Sequence, residues 1–351
     1  MTVLFHPKRR DQIVAVDLGT RTTKAVYLQR KGERFSLSNF TLHDAPVYEK
    51  KLSPEMLAEH LKSVMQSLGA RTKQMVLVIG VNDSLLRHAE LPPVPVSEMR
   101  MMLKFNAKSY LQQDLTDYVF DCHILPPRPE GQHAEPVKSN QKFKVLVGGA
   151  KRHLINDLQT AAKIAGLIPS EIIPSLIGPV NAFEAAQPEI FFKEVVALVD
   201  VGFKSSTISI LLNGELILSR VVAIGGDRLT SGLADSMSIS YAEAEGIKIG
   251  MPDEVQSMMQ SLLSPLGREL RASIDFFEHQ QDKTVSQVFM CGGSACSEFI
   301  LQNLQSELMI PCNSWSPTSS LELSLPPEQM AEVEKVAPRL AVAIGAATAF
   351  F

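Results

Sequence analysis

Two short segments of this 351-residue chain carry the same residue types in the same order: an aspartate, a glycine, a basic residue and two adjacent hydroxyl residues. They occupy residues 17–23 and 200–206 and align without a gap. In each, an apolar stretch precedes the aspartate and another follows the hydroxyl pair, which predicts a β-hairpin with a polar turn. Because the two copies lie far apart in the chain, they indicate duplicated domains rather than a solenoid of short repeats.

Such a hairpin has the chemistry of a phosphate-binding turn. A glycine lets backbone N–H groups approach an anion, and hydroxyl side chains add further donors. An aspartate repels phosphate but can hold Mg²⁺ or its waters, which neutralise the phosphate charge. One such turn alone would be an ordinary β-turn, whereas two matching copies predict a clamp that holds a triphosphate from both sides. The candidate residues are Asp17, Gly19, Thr20, Arg21, Thr22 and Thr23 in the first copy and Asp200, Gly202, Lys204, Ser205 and Ser206 in the second, with Asp17 and Asp200 as candidate metal ligands.

The elements that must position these hairpins predict an α/β fold with two domains, a duplicated core and a cleft between the domains. A proline-rich connector interrupts the first domain and leads into an α/β insert, after which the strand pattern of the first hairpin starts again. These signals place the first domain at residues 1–90, completed by about 169–192 and 336–351, the insert at 91–168 and the second domain at 193–335.

Helix boundaries are marked by side chains with capping preferences. Ser53 before Pro54 predicts the start of a helix, and Gly69 predicts its end. Ser97 is likewise predicted to cap a helix in the insert. The apolar segment at residues 338–351 is rich in alanine and glycine, and it predicts a helix that packs closely against a neighbour.

Composition excludes several classes of protein. Hydrophobic residues make up 45% and charged residues 21%, which is typical of a folded globular chain. The formal net charge of −4 offers no basic excess for a nucleic-acid partner. No apolar run reaches the ~20 residues of a membrane helix, and no signal peptide is recognised, so we expect no direct membrane insertion. The four cysteines form no CxxC pair, which favours reduced thiols in the cytoplasm over a zinc site.

The two hairpins resemble the phosphate motifs of the actin-like (ribonuclease H-like) ATPase superfamily. Residues 14–23 are similar to its first phosphate motif and residues 197–206 to its second. Residues 289–294, which include Gly292, Gly293 and Ser294, are similar to its adenosine motif, in which glycines let the nucleotide lie against the backbone. The resemblance implies an actin-like fold that binds ATP with Mg²⁺.

Within the superfamily the chain resembles the PilM-like proteins of type IV pilus assembly, with FtsA-like proteins next. Residues 224–230, 244–248 and 269–277 look like three further motifs of these families, and the insert takes the place of their displaced subdomain, 1C. By the same resemblance the first domain is subdomain 1A, and the second is 2A with 2B at about 226–284. The motifs imply nucleotide contacts by Gly225, Gly226, Glu245, Lys248 and Arg271, of which Glu245 and Lys248 contact the ribose in the families.

Each of these residues also has a purely structural interpretation. Glu245 and Lys248 are three residues apart and would form a solvated ion pair on a helix. Arg271 would be a surface charge, and the paired glycines would form a turn before a helix. The order of the motifs along the chain favours the nucleotide site.

Two departures from the superfamily pattern indicate slow chemistry. Phe203 and Lys204 stand where small glycines are usual in the second phosphate motif. The first connecting helix, around residues 178–184, offers no glutamine or aspartate to orient an attacking water, and only Glu184 is available. We therefore expect ATP binding with weak or no hydrolysis and assign no catalytic residue.

The resemblance implies a cytoplasmic platform protein that is recruited to the inner face of the cytoplasmic membrane as part of the pilus assembly complex. Its expected partner is the N-terminal peptide of a PilN-like inner-membrane protein, bound in a groove between the first subdomain and the insert. A methionine-rich helix segment either lines that groove or forms the core of the insert; its residues are Met99, Met101, Met102, Leu103 and Phe105.

Three alternatives remain at the level of sequence. An FtsA-like filament protein would end in a basic amphipathic helix, whereas residues 338–351 carry one charge, so we expect no such anchor; self-association stays possible. A GspL-like secretion scaffold would share the fold. A sugar or carboxylate kinase of the superfamily would need a catalytic aspartate, which is not recognised.

Overall fold

The computed structural model describes residues 11–47, 52–125, 142–250, 253–294 and 297–351. Within those ranges the chain forms three β-sheets, one in each of two lobes and one in an insert. The first lobe begins with an antiparallel meander, a helix and a parallel strand. These elements are β1 (Gln12–Leu18), β2 (Thr22–Lys31), β3 (Arg34–Asp44), α1 (Pro54–Leu68) and β4 (Gln74–Ile79).

The insert is a small three-stranded antiparallel sheet with one helix, and the chain then returns to the first lobe. The insert contains β5 (Ser84–Leu91), α2 (Val96–Leu111), β6 (Tyr118–Ile124) and β7 (Phe143–Lys151). The returning elements are α3 (Arg152–Ile164), β8 (Ile168–Pro174), α4 (Ile177–Ala186) and α5 (Pro188–Lys193).

The second lobe repeats the plan of the first, and the chain ends by crossing back. The second lobe contains β9 (Val195–Val201), β10 (Ser206–Leu212), β11 (Glu215–Val222), α6 (Gly226–Met237), α7 (Tyr241–Gly250), α8 (Asp253–Gln281), β12 (Gln287–Cys291), α9 (Glu298–Leu308) and β13 (Cys312–Ser314). The last elements are β14 (Glu322–Leu323), α10 (Pro327–Met330), α11 (Val333–Val336), a 3₁₀ turn (Ala337–Leu340) and α12 (Ala341–Thr348).

The strand pairings confirm the predicted duplication. The first sheet contains the order β3-β2-β1-β4-β8 and the second the order β11-β10-β9-β12-β13; in each order the first two pairings are antiparallel and the last two are parallel. The register repeats as well, because Asp17 lies opposite Lys24 in the first hairpin and Asp200 lies opposite Thr207 in the second. The two hairpins are therefore equivalent in backbone position as well as in residue type.

The central strands are buried on both faces, which explains their continuous apolar runs. In β1, Ile13 and Ala15 pack into a core that also contains Val196 and Leu198 of β9, whereas neighbouring side chains of β1 face α1 and α3. Helices α4 and α12 fill the space between the two sheets. The lobes are thus joined through one shared apolar core.

The crossing of α4 and α12 requires glycine. A Cβ atom on Gly345 would lie 1.8 Å from the carbonyl oxygen of Gly178, and one on Gly178 would lie 2.6 Å from that of Val342. The predicted close packing of residues 338–351 against a neighbouring helix is confirmed, with α4 as the neighbour.

The helix starts agree with the sequence in one case and differ in the other. The Ser53 hydroxyl accepts a hydrogen bond from the Met56 backbone N–H at 3.2 Å, and α1 is followed by Gly69 in the left-handed conformation, as predicted. Helix α2 instead begins at Val96, because the Pro95 carbonyl accepts hydrogen bonds from two backbone N–H groups of the first turn. Ser97 lies inside that turn, so its predicted capping role was wrong.

The insert has different limits from those expected. Strand β5 pairs with β7 along its full length, although residues 84–90 had been assigned to the first domain. Helix α3 had been assigned to the insert, but Leu158 and Ala161 on its buried face pack with α1 in the first lobe. We therefore propose residues 84–151 as the insert. Within the described parts of the chain, no helix combines the length and apolarity needed to cross a bilayer.

Candidate functional site

The two hairpins face each other across the cleft between the lobes and line a cavity of about 1090 Å³. Asp17 lies in β1 and Asp200 in β9, each near the strand's C-terminal end. The cavity therefore brings together two carboxylates that are more than 180 residues apart in the chain. The predicted hairpin residues at its wall are Asp17, Gly19, Thr20, Arg21, Thr22, Asp200, Gly202, Lys204 and Ser205.

The hairpin glycines are required by close backbone approach. A Cβ on Gly19 would lie 2.5 Å from the carbonyl oxygen of Thr22, and a Cβ on Gly202 would lie 2.8 Å from that of Ser205. The Gly202 N–H donates to the Ser205 carbonyl at 3.1 Å, which closes the second turn. Both turns consequently present backbone rather than a side chain at this point of the cavity wall.

Two of the predicted hydroxyl residues do not reach the cavity. Thr23 is buried and its Oγ1 lies 2.8 Å from Nε2 of His60, while the Ser206 hydroxyl donates to the Ile224 carbonyl at 2.6 Å. The reason is the alternation of side chains along a strand, which turns each of them away from the cleft. The same alternation brings the next residues, Lys24 and Thr207, to the cavity wall, and the sequence analysis missed both.

The first aspartate is paired with a lysine. Nζ of Lys24 lies 2.8 Å from Oδ2 of Asp17, and the exposed fractions of the two side chains are 21% and 6%. The pair leaves the second Asp17 oxygen available to a cation. Alternation along β2 would have predicted this lysine, because Lys24 follows Thr22 at the spacing of one strand face.

The second aspartate, Asp200, is a buried carboxylate whose charged form is disfavoured by desolvation. Burial raises the pKa of Asp200 to about 6, with Lys24 lowering it and the charge of Asp17 raising it further. Gly292 closes over this carboxylate: its φ is +92°, and a Cβ there would lie 2.3 Å from Oδ1 of Asp200. Because β12 runs parallel to β9 with Cys291 opposite Asp200, the glycine turn follows directly from the sheet register.

Two carboxylates suit Mg²⁺ better than a metal with a full set of protein ligands. Among the described residues, no group of three or more His, Cys, Asp or Glu side chains is placed to hold a metal ion. Mg²⁺ commonly uses one or two carboxylates and takes its other ligands from phosphate oxygens and water. The donor set of Asp17 and Asp200 fits that pattern.

The paired glycines, Gly225 and Gly226, lie against the backbone of the second hairpin. The backbone N–H of Gly226 donates to the Gly202 carbonyl at 3.0 Å, and that of Asp227 donates to the Phe203 carbonyl at 2.9 Å. A Cβ on Gly225 would lie 2.4 Å from the same Phe203 oxygen. Gly226 lines the cavity, whereas Gly225 does not and serves the packing of the turn.

Glu245 and Lys248 form the ion pair expected from their spacing, and both also line the cavity. Nζ of Lys248 lies 2.7 Å from Oε2 of Glu245, and the Thr230 hydroxyl donates to the same oxygen at 2.5 Å. Burial raises the pKa of Glu245, but the hydrogen bonds from Lys248 and Thr230 outweigh it and leave the pKa lowered. The carboxylate is therefore charged at neutral pH.

The remaining predictions divide between residues at the cavity and residues away from it. Gly292, Gly293 and Ser294 all line the cavity, as the adenosine motif implied. Arg271 does not: it lies on α8, 4.0 Å from Asp275 one turn along the same helix. The structure thus favours the surface-charge interpretation of Arg271. Glu184 is exposed on α4 and is also not part of the cavity wall.

Several further cavity residues lacked any signal in the sequence. The loop after β4 contributes Asn82 and Asp83, α9 contributes Glu298, and the segment before α12 contributes Arg339. They come from separate elements and belong to none of the recognised motifs. Only the packing of the lobes brings them to the hairpins.

Comparison with known proteins places this geometry among actin-like structures. The solved PilM–PilN type IV pilus biogenesis complex contains a chain that matches 97% of this one over 98% of its own length, with a TM-score of 0.84 and 21% identity. An MreB protein of Spiroplasma citri, solved with AMPPNP, matches 97% of this chain over 96% of its own, with a TM-score of 0.52 and 11% identity. The predicted actin-like fold is confirmed.

Sequence comparison is more specific. The chain is 34% identical over 103 residues to the cell division protein FtsA of Bacillus subtilis (strain 168), a match that spans 29% of this chain but only 22% of that protein. Residues 15–351 match the family described as type IV pilus assembly protein PilM. With nearly the whole length matched and both hairpins inside the match, the chain belongs to the PilM family of type IV pilus assembly proteins.

Proposed function

We propose that this protein is an ATP-binding scaffold of type IV pilus assembly that binds Mg-ATP between its two lobes. One observation carries the proposal: the duplicated hairpins place Asp17 and Asp200 at the wall of one cavity. A ligand that spans them meets glycine turns from both sides and two carboxylates suited to a divalent cation. ATP with Mg²⁺ is the ligand whose charges match that arrangement.

The proposed contacts follow from the position of each group. The hydroxyls of Thr22 and Ser205, beside the two glycine turns, would donate to phosphate oxygens. Lys24, Lys204 and Arg21 would supply positive charge. Mg²⁺, when bound by Asp17 and Asp200, neutralises the phosphates. Glu245 would accept a hydrogen bond from the ribose, and Lys248 would donate one to it. The backbone at Gly292 and Gly293 would lie against the nucleoside.

We infer that turnover is weak or absent. Activation of an attacking water needs a base within hydrogen-bond reach. The carboxylate of α4, Glu184, is exposed and lies outside the cavity wall, so this connecting helix supplies no such base among the described residues. Asp17 is held by Lys24 at 2.8 Å, which suits charge pairing better than proton abstraction.

The proposed partner is the N-terminal peptide of a PilN-like membrane protein, which would recruit the chain to the inner face of the cytoplasmic membrane. Helix α2 supports a peptide surface in the insert: Met99 and Leu103 are buried in the insert core, whereas Met101 and Phe105 are 52% and 70% exposed. Part of the methionine-rich segment thus belongs to the insert core, and its exposed part supports the proposal of a peptide surface. Exposed methionine and aromatic side chains adapt well to apolar peptides.

Calorimetric titration with Mg-ATP tests the proposal. Asp17→Asn and Asp200→Asn each remove one carboxylate while keeping its shape, and Glu184→Gln does the same outside the cavity. We expect the two cleft variants to bind Mg-ATP at least about tenfold more weakly, since a lost charged contact is worth roughly 1.5–3 kcal/mol. The Glu184 variant should bind like the parent. Unchanged affinity in both cleft variants would show that the carboxylates do not serve a nucleotide.

A further inference from the structure

Arg21 reaches across the cleft and contacts the opposite lobe twice. It belongs to the first hairpin, yet its Nη1 lies 3.0 Å from Oε1 of Glu245 on α7. Its guanidinium also lies over the ring of Phe203 in the second hairpin, 5.0 Å from the centroid. Both are attractive geometries, an ion pair and a cation–π contact. One side chain of the first lobe is thus fastened to two elements of the second.

Arg21 contacts the Glu245 oxygen to which the other partners of this carboxylate do not bond. Thr230 and Lys248 both donate to Oε2, whereas Arg21 bonds to Oε1. The exposed fractions of the Arg21 and Glu245 side chains are 42% and 18%, so the arginine is the more exposed member of the pair. A ligand hydroxyl that binds Oε1 of Glu245 therefore has to compete with Arg21 for that oxygen.

We propose that Arg21 is a latch that keeps Glu245 occupied until a phosphate-bearing ligand draws it away. This inference rests on the proposed nucleotide site and adds that the site selects nucleotides over nucleosides. A nucleoside alone has to replace the charge-assisted bond between Arg21 and Glu245 with a bond to a neutral hydroxyl, which is weaker. A nucleotide offers Arg21 a new anion, because its phosphates would lie on the hairpin that carries Arg21, beside Thr20 and Thr22.

The latch couples the two ends of the ligand. Occupation of Glu245 by a sugar hydroxyl becomes favourable only when the same molecule binds Arg21 through its phosphates, which is a coupling free energy between two subsites. Phe203 contributes by holding the guanidinium in the closed position. The phenylalanine that departs from the superfamily pattern thereby acquires a role, since a glycine at that position would leave Arg21 without a platform.

The decisive test uses one substitution and two ligands. Arg21→Ala removes both the latch and a phosphate contact, so its effects on adenosine and on Mg-ATP should have opposite signs. We expect adenosine to bind about threefold more tightly than to the parent, because a half-exposed ion pair is a weak interaction. Mg-ATP should bind about tenfold more weakly, because a charged contact to phosphate is lost. Both affinities are measured by calorimetry at the same ionic strength.

Lys204→Ala is the matched control. Nζ of Lys204 lies 5.4 Å from the same Phe203 ring but pairs with Asp227 at 2.7 Å, not with Glu245. This variant removes a positive charge from the same cleft, so it should weaken Mg-ATP without tightening adenosine. Phe203→Leu is the second variant: it keeps both cations but removes the ring, and it should tighten adenosine in the same direction as Arg21→Ala and by less.

The outcomes separate the latch from the binding site itself. If the parent does not bind Mg-ATP, the proposed function and the latch are both overturned. If it does, but Arg21→Ala leaves adenosine binding weaker, equal or undetectable, the latch alone is overturned and Arg21 is a simple phosphate contact. A change of the same size for adenosine in the Lys204 control would also overturn it, since the effect would then come from net charge. Thermal unfolding of each variant verifies that it is folded.

Discussion

Replacing Asp200 by asparagine should stabilise the ligand-free protein and at the same time remove most of its stabilisation by Mg-ATP. The carboxylate lies deep in the cleft, and no described residue donates a hydrogen bond to it. Burial is the main reason that its pKa rises from 3.8 to about 6. An asparagine amide has the same shape and carries no charge, so it does not incur the same cost of desolvation.

The magnitude follows from the pKa difference. A group whose folded pKa is raised binds a proton in the folded protein that the unfolded chain has already released. The contribution of Asp200 to the free energy of unfolding therefore falls as the pH rises from 3.8 towards about 6 and stays at its lowest above that value. Each pKa unit corresponds to about 1.4 kcal/mol, so the cost is at most about 3 kcal/mol. Water in the open cleft reduces it, and we expect about 1–2 kcal/mol.

Thermal unfolding at pH 8 and at pH 4, with and without Mg-ATP, measures both effects. At pH 8 Asp200→Asn should unfold a few degrees above the parent. At pH 4 the difference should shrink, because the parent carboxyl is then largely protonated in the folded state. Mg-ATP should raise the melting temperature of the parent more than that of the variant, since the stabilisation by a ligand grows with the logarithm of its affinity.

Asp17→Asn provides a control with the opposite sign. Asp17 is paired with Lys24 at 2.8 Å, so the substitution leaves that half-buried ammonium without its carboxylate. We expect a loss of about 1–3 kcal/mol at pH 8. Equal effects of the two asparagine variants would refute the assignment of Asp200 as a charge held against desolvation. The assignment would also be refuted if Asp200→Asn were less stable than the parent by the same amount at both pH values.

Three other perturbations test the packing, the turn and the partner surface. Gly345→Ala should destabilise the protein by at least about 1–3 kcal/mol in denaturant titration, because a Cβ at this position has no space. Gly246→Ala, in an open part of α7, should instead stabilise it by about 0.5–1 kcal/mol. The reverse order of stability would contradict the helix crossing. Gly292→Ala combines a positive φ with a clash, so calorimetry should find Mg-ATP binding lost or reduced at least tenfold, roughly 1.4 kcal/mol; normal affinity would show that the turn is dispensable. Phe105→Glu should abolish capture of a PilN-like N-terminal peptide, while the melting temperature of this variant stays close to that of the parent. Met99→Glu should instead unfold the insert, because it buries a charge. Retained capture by the Phe105 variant would show that the peptide site is not on α2.

Much of the fold was accessible from the sequence because its signals are local. The Ser53–Pro54 start and Gly69 end of α1 depend on a few consecutive residues and were correct. The beginning of α2 was placed wrongly at Ser97 because proline at position 95 serves as the boundary without a capping side chain. Strand β5 was not recognised at all, and its pairing with β7 depends on a partner more than fifty residues away.

The candidate site shows the same division. The hairpins were found because they repeat, and the glycines were found because close backbone approach restricts residue type. Thr23 and Ser206 lie away from the cavity wall because a shift of one residue along a strand reverses the face on which a side chain lies. Arg271 lies away from the cavity wall for a related reason: the motif predicts a helix, but packing decides which face of α8 turns towards the cleft.

Residue order alone was sufficient to predict that this chain has two copies of an Asp-Gly hairpin, an α/β core around each and an actin-like fold. Turn and strand preferences act over a few residues, so they survive in a linear pattern. Only the tertiary structure decided that Lys24 pairs with Asp17, that Asp200 is charged at a cost, and that Arg21 reaches Glu245 across the cleft. Electrostatic energies depend on distance and burial, and both are set by how the lobes pack together.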